Sequence, residues 1–522
     1  MTLPDDPSQL SLFEKAAAVP EPSLDRYFQA SAKGGDLYQA EYQVSAEGSE
    51  IFRETHKVAY VLGAGQTGFG YLVRRGQYLF EAPLSYYSNL RQWELSPGYE
   101  YADYGFSRPV LTDCVTCHSG RSRPVIGRAG KYEDPPFQEL SVGCENCHGP
   151  GALHVEQRRK GKPLQESVDP SIVNPAKLSP WLANNVCMAC HEGGDDRVPQ
   201  PGKTGLDYCP GTPLDDTIAI VSVPLQPGAA DRSPLLQHYS LMILSKCYLQ
   251  SGGKLTCTTC HNPHVEPQRA EAVSFYRQKC LDCHQEASCS LPLTTRGKQA
   301  PPDNCAGCHM PKRQVPLISH SALTNHRIIA RSDEPLPQAA FHQVSPDLPD
   351  LVHLTAKPGQ SSKPLSRIVL LHAYSDLSAH FPEYGKFHDR LLTELANAGS
   401  SDPFVLSELA RQDIRKNQPE SLRAAAGYLA MALQKGSTEP TDFEMLANLL
   451  AGSGKSDESI ELLKRGIELN PYAMRLYKTL ALQYINARDY NNALATMKKE
   501  LEVFPEDSLM RSLLNRVEGA DR

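Results

Sequence analysis

The sequence predicts a chain in three parts: a small β-containing N-terminal part, an α-rich middle with little regular structure, and a C-terminal all-α domain of helical repeats. Three observations predict it. Short apolar runs separated by glycines fill 36–106. A five-residue word, Cys-x-x-Cys-His, recurs six times between Cys114 and His309, in a region rich in Gly, Pro and Asn. From Ser366 onward there is no cysteine, and a helical pattern with a 34-residue register sets in.

The 522 residues imply several domains, and the net charge of −7 comes without any basic block, which excludes a nucleic-acid-binding class. No run of 18 apolar residues is present, so no membrane span is expected. Residues 1–35 show no strong pattern and read as a lead-in. Met1 to Pro20 is acidic and lacks the basic and apolar regions of an export signal. Covalent haem is attached outside the cytoplasm, so if the words described below carry haem, the expectation is a periplasmic or otherwise exported protein whose N-terminus is truncated or processed.

In 36–106, Val58-Ala-Tyr-Val-Leu62 and Tyr71-Leu-Val-Arg74 read as strands of hairpins. Gly63-Ala-Gly65-Gln66-Thr-Gly68 matches a dinucleotide fingerprint, but a strand follows where that motif needs a helix, so a glycine turn packed beside a haem is expected instead.

The six words fill the segment 107–330. They are Cys114/Cys117/His118, Cys144/Cys147/His148, Cys187/Cys190/His191, Cys257/Cys260/His261, Cys280/Cys283/His284 and Cys305/Cys308/His309. Zinc ribbons, redox dithiols and disulfide frameworks all use cysteine pairs, and none requires a histidine after the second. With 17 His in 522 residues, a following His has a chance of about one in thirty, and six from six a chance on the order of one in a billion. The recurring His decides the reading. Two thiols three positions apart can add to the two vinyl groups of one haem, and the adjacent imidazole then meets the iron as proximal ligand. Six covalently attached haem c groups are expected, so that the middle is an α-rich multihaem cytochrome c fold with haem as its main apolar filling and a short helix carrying each word. Cys209, Cys247 and Cys289 are left over, either with two of them paired or as small buried side chains.

Residues 331–365 are proline-rich and read as a linker. In 366–522, Pro471 and Pro505 are 34 apart. Ala425, Ser459 and Ala493 align at that spacing, as do Leu429, Leu463 and Met497, and Leu446 with Leu480. This is the pattern of tetratricopeptide-like repeats, a fold that holds a peptide or protein partner in its groove.

The second axial position of each iron decides between electron transfer, which two imidazoles favour, and substrate binding at an open site. His264 lies three residues beyond His261 and cannot pass round the porphyrin to the same iron. As a ligand it would serve a neighbouring haem, and His154, six after His148, allows the same argument. His56, His238, His320 and His326 are the other candidate distal ligands. His342, His353, His372, His380 and His388 are expected to be structural.

Cys-Glu-Asn-Cys-His-Gly-Pro-Gly-Ala-Leu-His154, Gly-Gly-Lys-Leu-Thr-Cys-Thr-Thr-Cys-His-Asn-Pro-His264 and Cys-Ala-Gly-Cys-His-Met-Pro-Lys312, followed by Thr-Asn-His326-Arg-Ile, resemble multihaem cytochromes c of the c-552/c-554 type. That group belongs to the hydroxylamine oxidoreductase and pentahaem nitrite reductase lineage, and the likeness is to its members with a tetratricopeptide tail. It covers roughly 50–330 and, more loosely, the tail. The resemblance implies distal-ligand roles for His154 and His264. It also implies a signal peptide and one further word near the N-terminus, both absent here, hence a seventh haem in a longer native chain. Many relatives have His in the Gly-x-Gly turn where this chain has Gln66, which puts a ligand role there in doubt.

Two functions follow. The first is electron transfer along closely packed, mostly bis-His haems, with redox partner proteins docking at the ends. The second is a multihaem oxidoreductase acting on small nitrogen or sulfur compounds at one five-coordinate haem. Every word ends in His, so the Lys-ligated variant of the nitrite reductases is absent. No catalytic residue can be assigned.

Overall fold

The computed structural model describes residues 1–99, 104–161, 169–225, 237–314, 322–337, 340, 351–357 and 364–520. They form two compact units. One comprises Met1–Ser141 with Asp389–Arg522, the other Val142–His388.

The first unit opens on α1 (Pro7–Glu14), where Asp6 caps the Ser8 N–H. Then comes an eight-stranded antiparallel sheet built from β1 (Val19–Glu21), β2 (Arg26–Lys33), β3 (Asp36–Val44), β4 (Glu50–Leu62), β5 (Gly68–Arg75), β6 (Tyr78–Glu81), β7 (Leu84–Tyr87) and β8 (Gln92–Leu95). The order is β1-β2-β3-β4-β5-β7-β8, with β6 paired to β5. The long β4 pairs with β3 through Glu50–Lys57 and with β5 through Val58–Leu62, its register shifting between Val58 and Tyr60. Such a shift bends a strand and strengthens the local twist.

Gly63 (φ +90°) and Gly65 (φ +77°) turn the chain between β4 and β5, and a Cβ on Gly63 would lie 2.7 Å from the Gly68 carbonyl oxygen. The glycine motif is therefore a hairpin turn with a strand on each side, as its sequence context predicts. Phe13 of α1 packs edge-on against Tyr71 and Trp93, at 5.0 and 4.8 Å, and the Tyr71 hydroxyl donates to Gln9.

The expectation of a small β-containing N-terminal part is thus corrected, since the sheet begins at Val19 and its first two strands lie within 1–35. Partly covered positions of β1 and β2 carry polar and small residues, and the aromatic partners of Phe13 lie far along the chain. No local window shows the pattern. Beyond the sheet, α2 (Thr112–Thr116) holds Cys114, the first cysteine of the first word, and β9 (Arg121–Pro124) pairs with β10 (Tyr132–Glu139).

The second unit contains α3 (Cys144–His148), α4 (Ala152–Arg159), α5 (Pro180–His191), α6 (His238–Met242), α7 (Lys246–Gln250), α8 (Cys257–Cys260), α9 (Ala272–Leu281), α10 (Leu293–Arg296), α11 (Cys305–His309) and α12 (Arg367–Ser378). β11 (Asp196–Pro199), β12 (Ile218–Ser222) and β15 (Val352–His353) form one small sheet, and β13 (Lys312–Gln314) pairs with β14 (Ala322–Thr324). Met188, Leu214, Ile220, Tyr239 and Met242 belong to its apolar cluster. β15 lies in the proline-rich stretch, and His353 there is tied through Nε2 to Asp215 at 2.6 Å, a structural role.

α13 (Gly385–Asn397) leads into α14 (Pro403–Lys416), α15 (Pro419–Gln434), α16 (Pro440–Gly452), α17 (Ser456–Leu469), α18 (Met474–Asn486), α19 (Tyr490–Val503) and α20 (Ser508–Ala520). The first helices of successive hairpins start at Pro440, Met474 and Ser508, and the second helices at Ser456 and Tyr490, each 34 residues apart. This is a tetratricopeptide-like helical repeat. Ala425, Ser459, Ala493, Leu429, Leu463 and Met497 are all fully buried, and Leu446 and Leu480 nearly so, as their register requires. Among the described residues no helix is long and apolar enough to cross a membrane.

Within the first unit, arginines from the sheet side reach the chain ends of the repeat helices. Arg128 donates to the carbonyls of Glu468 and Leu469 (3.2 and 2.9 Å), where α17 ends, and Arg75 to that of Val503 (2.8 Å), where α19 ends. Arg26 donates to the Glu506 carbonyl at 2.9 Å. The last carbonyls of a helix have no partner inside it and carry the negative end of its dipole, so a cation is favoured there. The Arg75 guanidinium also lies 4.7 Å from the Tyr472 ring centre, and Tyr472 packs edge-on against Tyr78 and Phe80.

Beside this seam, Glu500 is fully buried. Burial, then its hydrogen bond with Asp507, pushes its carboxyl up to about 9. Against the upward push of burial, Lys478 (2.6 Å) and the Met510 N–H hold Asp507 below its usual range.

Arg75→Ala should lower unfolding stability by about 1.5–3 kcal/mol, the range for a hydrogen bond to a charged group, read as a lower urea midpoint. Glu500 has a folded value above its unfolded one. Its contribution is therefore fully present below the unfolded carboxyl range and is lost as pH rises through about 9. Thermal melts should fall across that window, and Glu500→Gln should flatten the fall.

Candidate functional site

Three histidine pairs assemble in the second unit, each joining the histidine of a Cys-x-x-Cys-His word to one from outside the words. His148 and His264 have ring centres 5.9 Å apart with planes inclined by 17°. His191 and His238 lie 5.6 Å apart at 83°, and His261 and His326 lie 6.2 Å apart at 35°. His238 and His326 are themselves 4.4 Å apart, which draws the second and third pairs together. A metal–imidazole bond of about 2 Å on each side, plus half a ring at each end, spaces two axial imidazoles about 6 Å apart. His264 faces the histidine of a different word, as its short separation from His261 requires.

Hydrogen bonds fix which ring nitrogen is available. Nδ1 of His148 lies 2.7 Å from the Val173 carbonyl, and the Val173 N–H donates back to the His148 carbonyl at 3.0 Å. His309 repeats the device with Ile329, at 2.7 and 3.0 Å. Nδ1 of His238 meets the His191 carbonyl at 3.1 Å, and Nδ1 of His326 meets the Thr324 carbonyl at 3.0 Å. A carbonyl can only accept, so in all four rings Nδ1 carries the proton and Nε2 keeps its lone pair. Desolvation, then His238, lowers the half-buried His326 to about 4, so this imidazole stays neutral as a ligand must.

Side chains between the words hold these rings. The buried Asn184 of α5 accepts from the Cys257 N–H at 3.0 Å, fastening the fourth word to the helix that ends in the third. Ser245 Oγ accepts from the Ile328 N–H at 3.2 Å and donates to the His326 carbonyl at 3.4 Å. Tyr276 meets His261 Nδ1 at 3.2 Å. Burial pushes Glu192 up to about 7, while Ser240 hydrogen bonds work against that rise. Sequence reasoning missed Asn184, Glu192, Ser245 and Tyr276. Only the adjacency of Glu192 to a word could have singled one out.

The remaining candidates separate. His154 sits on α4 with Nδ1 at 2.9 Å from Asp169, beside a cleft of about 900 Å³ lined by Cys144, Ala152, Val155 and Ile172. His56 is on β4 in the first unit, its Nε2 held by Glu54 at 2.6 Å and its ring against Phe106. The nitrogen it would offer a metal is already engaged, so the structure does not place it as a distal ligand. His320 lies outside the described residues. His118 and His284 are exposed.

All fifteen cysteines are thiols, with no disulfide among Cys209, Cys247 and Cys289. The twelve word cysteines, expected as attachment points around an apolar filling, are not enclosed by the polypeptide itself. Cys114, Cys144, Cys283 and Cys308 are exposed, and Cys117, Cys147, Cys187, Cys190, Cys257, Cys260, Cys280 and Cys305 are half-buried. The expectation of a short helix carrying each word is also corrected. Cys190 and Cys308 lie inside α5 and α11, but α2 stops one residue before Cys117 and α9 two residues before Cys283. A short helix frays at its C-terminus, where the last carbonyls lack partners, and that is where these two words end. Thiols of different words meet, Cys187 with Cys257 and Cys280 with Cys305.

From Ser251 to Met310 a single side chain, Arg296, is buried. Arg296 pairs with Asp303 (2.6 Å) and Glu286 (2.9 Å), and Arg277 closes the ring through Asp303 (2.5 Å) and Glu286. This ring ties down the excursion between the fifth and sixth words.

No family model matches the chain, and no curated protein matches it. Similar solved structures include the Cut9–Hcn1 hetero-tetramer of APC/C, at 16% identity over 29% of this chain and 30% of that one, with a TM-score of 0.25. The first TPR of Spaghetti (RPAP3) bound to an HSP90 peptide is 14% identical over 23% of this chain and 96% of that one, TM-score 0.21. The Sgt2 TPR domain of Aspergillus fumigatus is 16% identical over 23% and 78%, TM-score 0.21. The chain thus spans less than a third of the first of these, and the repeat fold of 403–520 rests on its own helix spacing and packing.

The expectation of a metal-binding iron protein is corrected on one point. Among the described residues, no group of three or more His, Cys, Asp or Glu side chains is gathered so as to hold a metal ion. The histidines come in twos, too few for a metal site made of protein ligands alone.

Arg296→Leu should speed amide exchange and proteolytic cleavage within 285–304 while leaving the first unit unchanged. Protection equal to wild type would remove the ion ring from this account.

Proposed function

We propose that the chain is an exported, periplasmic-type electron-transfer protein carrying six covalently attached haem c groups, with its helical repeats as the docking module. The observation that carries this reading is the pairing of word histidines with histidines from outside the words at about the spacing of two axial ligands. Haem, when attached, supplies a one-electron couple.

The chain's own residues do the rest. The paired cysteines would hold the group through thioether bonds. The carbonyl-bound Nδ1–H groups of His148, His238, His309 and His326 orient each ring and leave Nε2 as donor. Desolvation keeps the half-buried His326 neutral. At the three paired sites two imidazoles would hold the group, an arrangement that favours electron transfer over substrate binding.

The repeats supply a surface for a peptide or protein partner. Their first helices present a polar ladder, Arg475 against Glu444 (3.4 Å) and Gln483 against Asn448 (3.5 Å). Redox partner proteins are the expected class.

Expressed with an export signal and haem-maturation machinery, the protein should gain the mass of six haems and show low-spin iron that ignores carbon monoxide. The bare polypeptide mass would overturn the haem reading. A high-spin haem that binds carbon monoxide would move the protein to the oxidoreductase class. His264→Ala should turn the haem on Cys144/Cys147 high-spin, and should have no further effect once those two cysteines are replaced by Ala.

A further inference from the structure

The third word's pair is assembled by a side chain that belongs to neither ligand. α6 begins at His238 and makes no cap of its own, since Gln237 offers no side-chain hydrogen bond. The first N–H groups of a helix need an acceptor, and a helix left without one frays from its start. Here the acceptor comes from across the site. Glu192, the residue after His191, is fully buried. Its carboxylate accepts from the Ser240 N–H at 2.9 Å and from the Ser240 hydroxyl at 3.0 Å. The Glu192 backbone makes an isolated antiparallel bridge with Gln237. Arg197 locks the other side, donating to the carbonyls of Ala189 (2.8 Å) and Glu192 at the end of α5.

We propose that Glu192 is a positioning residue that caps α6 in trans and thereby sets His238 against His191. The inference rests on the haem reading above. The carboxylate holds the third residue of α6 and His238 is the first, so the constraint acts within one turn of the ring it places. Both ends of the pair then hang on one rigid corner, the C-terminus of α5.

The test uses the haem-loaded full chain, with haem count by mass and iron state by EPR and carbon monoxide binding. The 83° crossing predicts one strongly anisotropic low-spin signal, distinct from that of the nearly parallel His148/His264 pair. Glu192→Ala should keep six haems, lose that signal alone, and gain one high-spin haem that binds carbon monoxide. Glu192→Gln, which retains an acceptor oxygen, should restore most of it. A Glu192→Ala protein with six haems and the signal intact overturns the inference and leaves the haem reading standing. A wild-type protein without haem overturns the haem reading itself, and this inference with it. If Glu192→Ala does not accumulate, Ser240→Ala removes only the hydroxyl donor: a partial shift to high spin supports the inference and an unchanged spectrum overturns it.

Discussion

A stretch that buries almost nothing must be held by directed bonds, and this constraint governs Ser251–Met310 of the second unit. Between Ser251 and Met310 the one buried side chain is an arginine. Area-proportional hydrophobic burial, the usual source of cohesion, has little to act on there. What remains is polar and specific: the Arg277–Glu286–Arg296–Asp303 ring, the Asn184 bond to the Cys257 backbone, and the carbonyl ties to imidazole nitrogens. Each fixes one group in one orientation, which a greasy core does not do. Where ligand nitrogens must be aimed, that trade is favourable, and covalent anchoring through paired cysteines would strengthen it.

The first unit is held the other way. Its sheet and its repeats each have an apolar core, and arginine side chains bond helix-end carbonyls where the two meet. Arg75 and Arg128 cap the exposed carbonyl ends of α19 and α17, so the sheet grips successive repeats by the same feature of each. The repeats therefore already have one partner within their own unit. The first helices carry the exposed Arg475 and Asn448 and the half-buried Glu444, while Gln483 is buried.

Legibility in the sequence followed the range of the determinants. The repeat register was readable because one period writes the same small and large residues at Ala425, Ser459 and Ala493 and at Leu429, Leu463 and Met497. Each is fully buried. The six words were readable because the chemistry they suggest needs two cysteines and a histidine at fixed short spacing. The His264 argument also depended only on reach. The sheet was underestimated because Phe13 meets Tyr71 and Trp93 across long stretches of chain, and because β1 and β2 lack a clean alternation. His56 resembled a candidate ligand by type, and only its bond to Glu54 shows otherwise. The supporting residues had no signature at all, since an asparagine, a serine or a glutamate is ordinary until its partner is known.

Which nitrogen a histidine uses sorts the set more sharply than its position does. His148, His238, His309 and His326 bind backbone carbonyls through Nδ1 and keep Nε2. His56 and His353 spend Nε2 on carboxylates, and neither stands among the three pairs. A structural histidine is satisfied by any good partner at either nitrogen, so no common choice is imposed on a group of them. His148, His238, His309 and His326 come from distant segments of the second unit and all turn Nδ1 to the backbone, whereas His353 of the same unit does not.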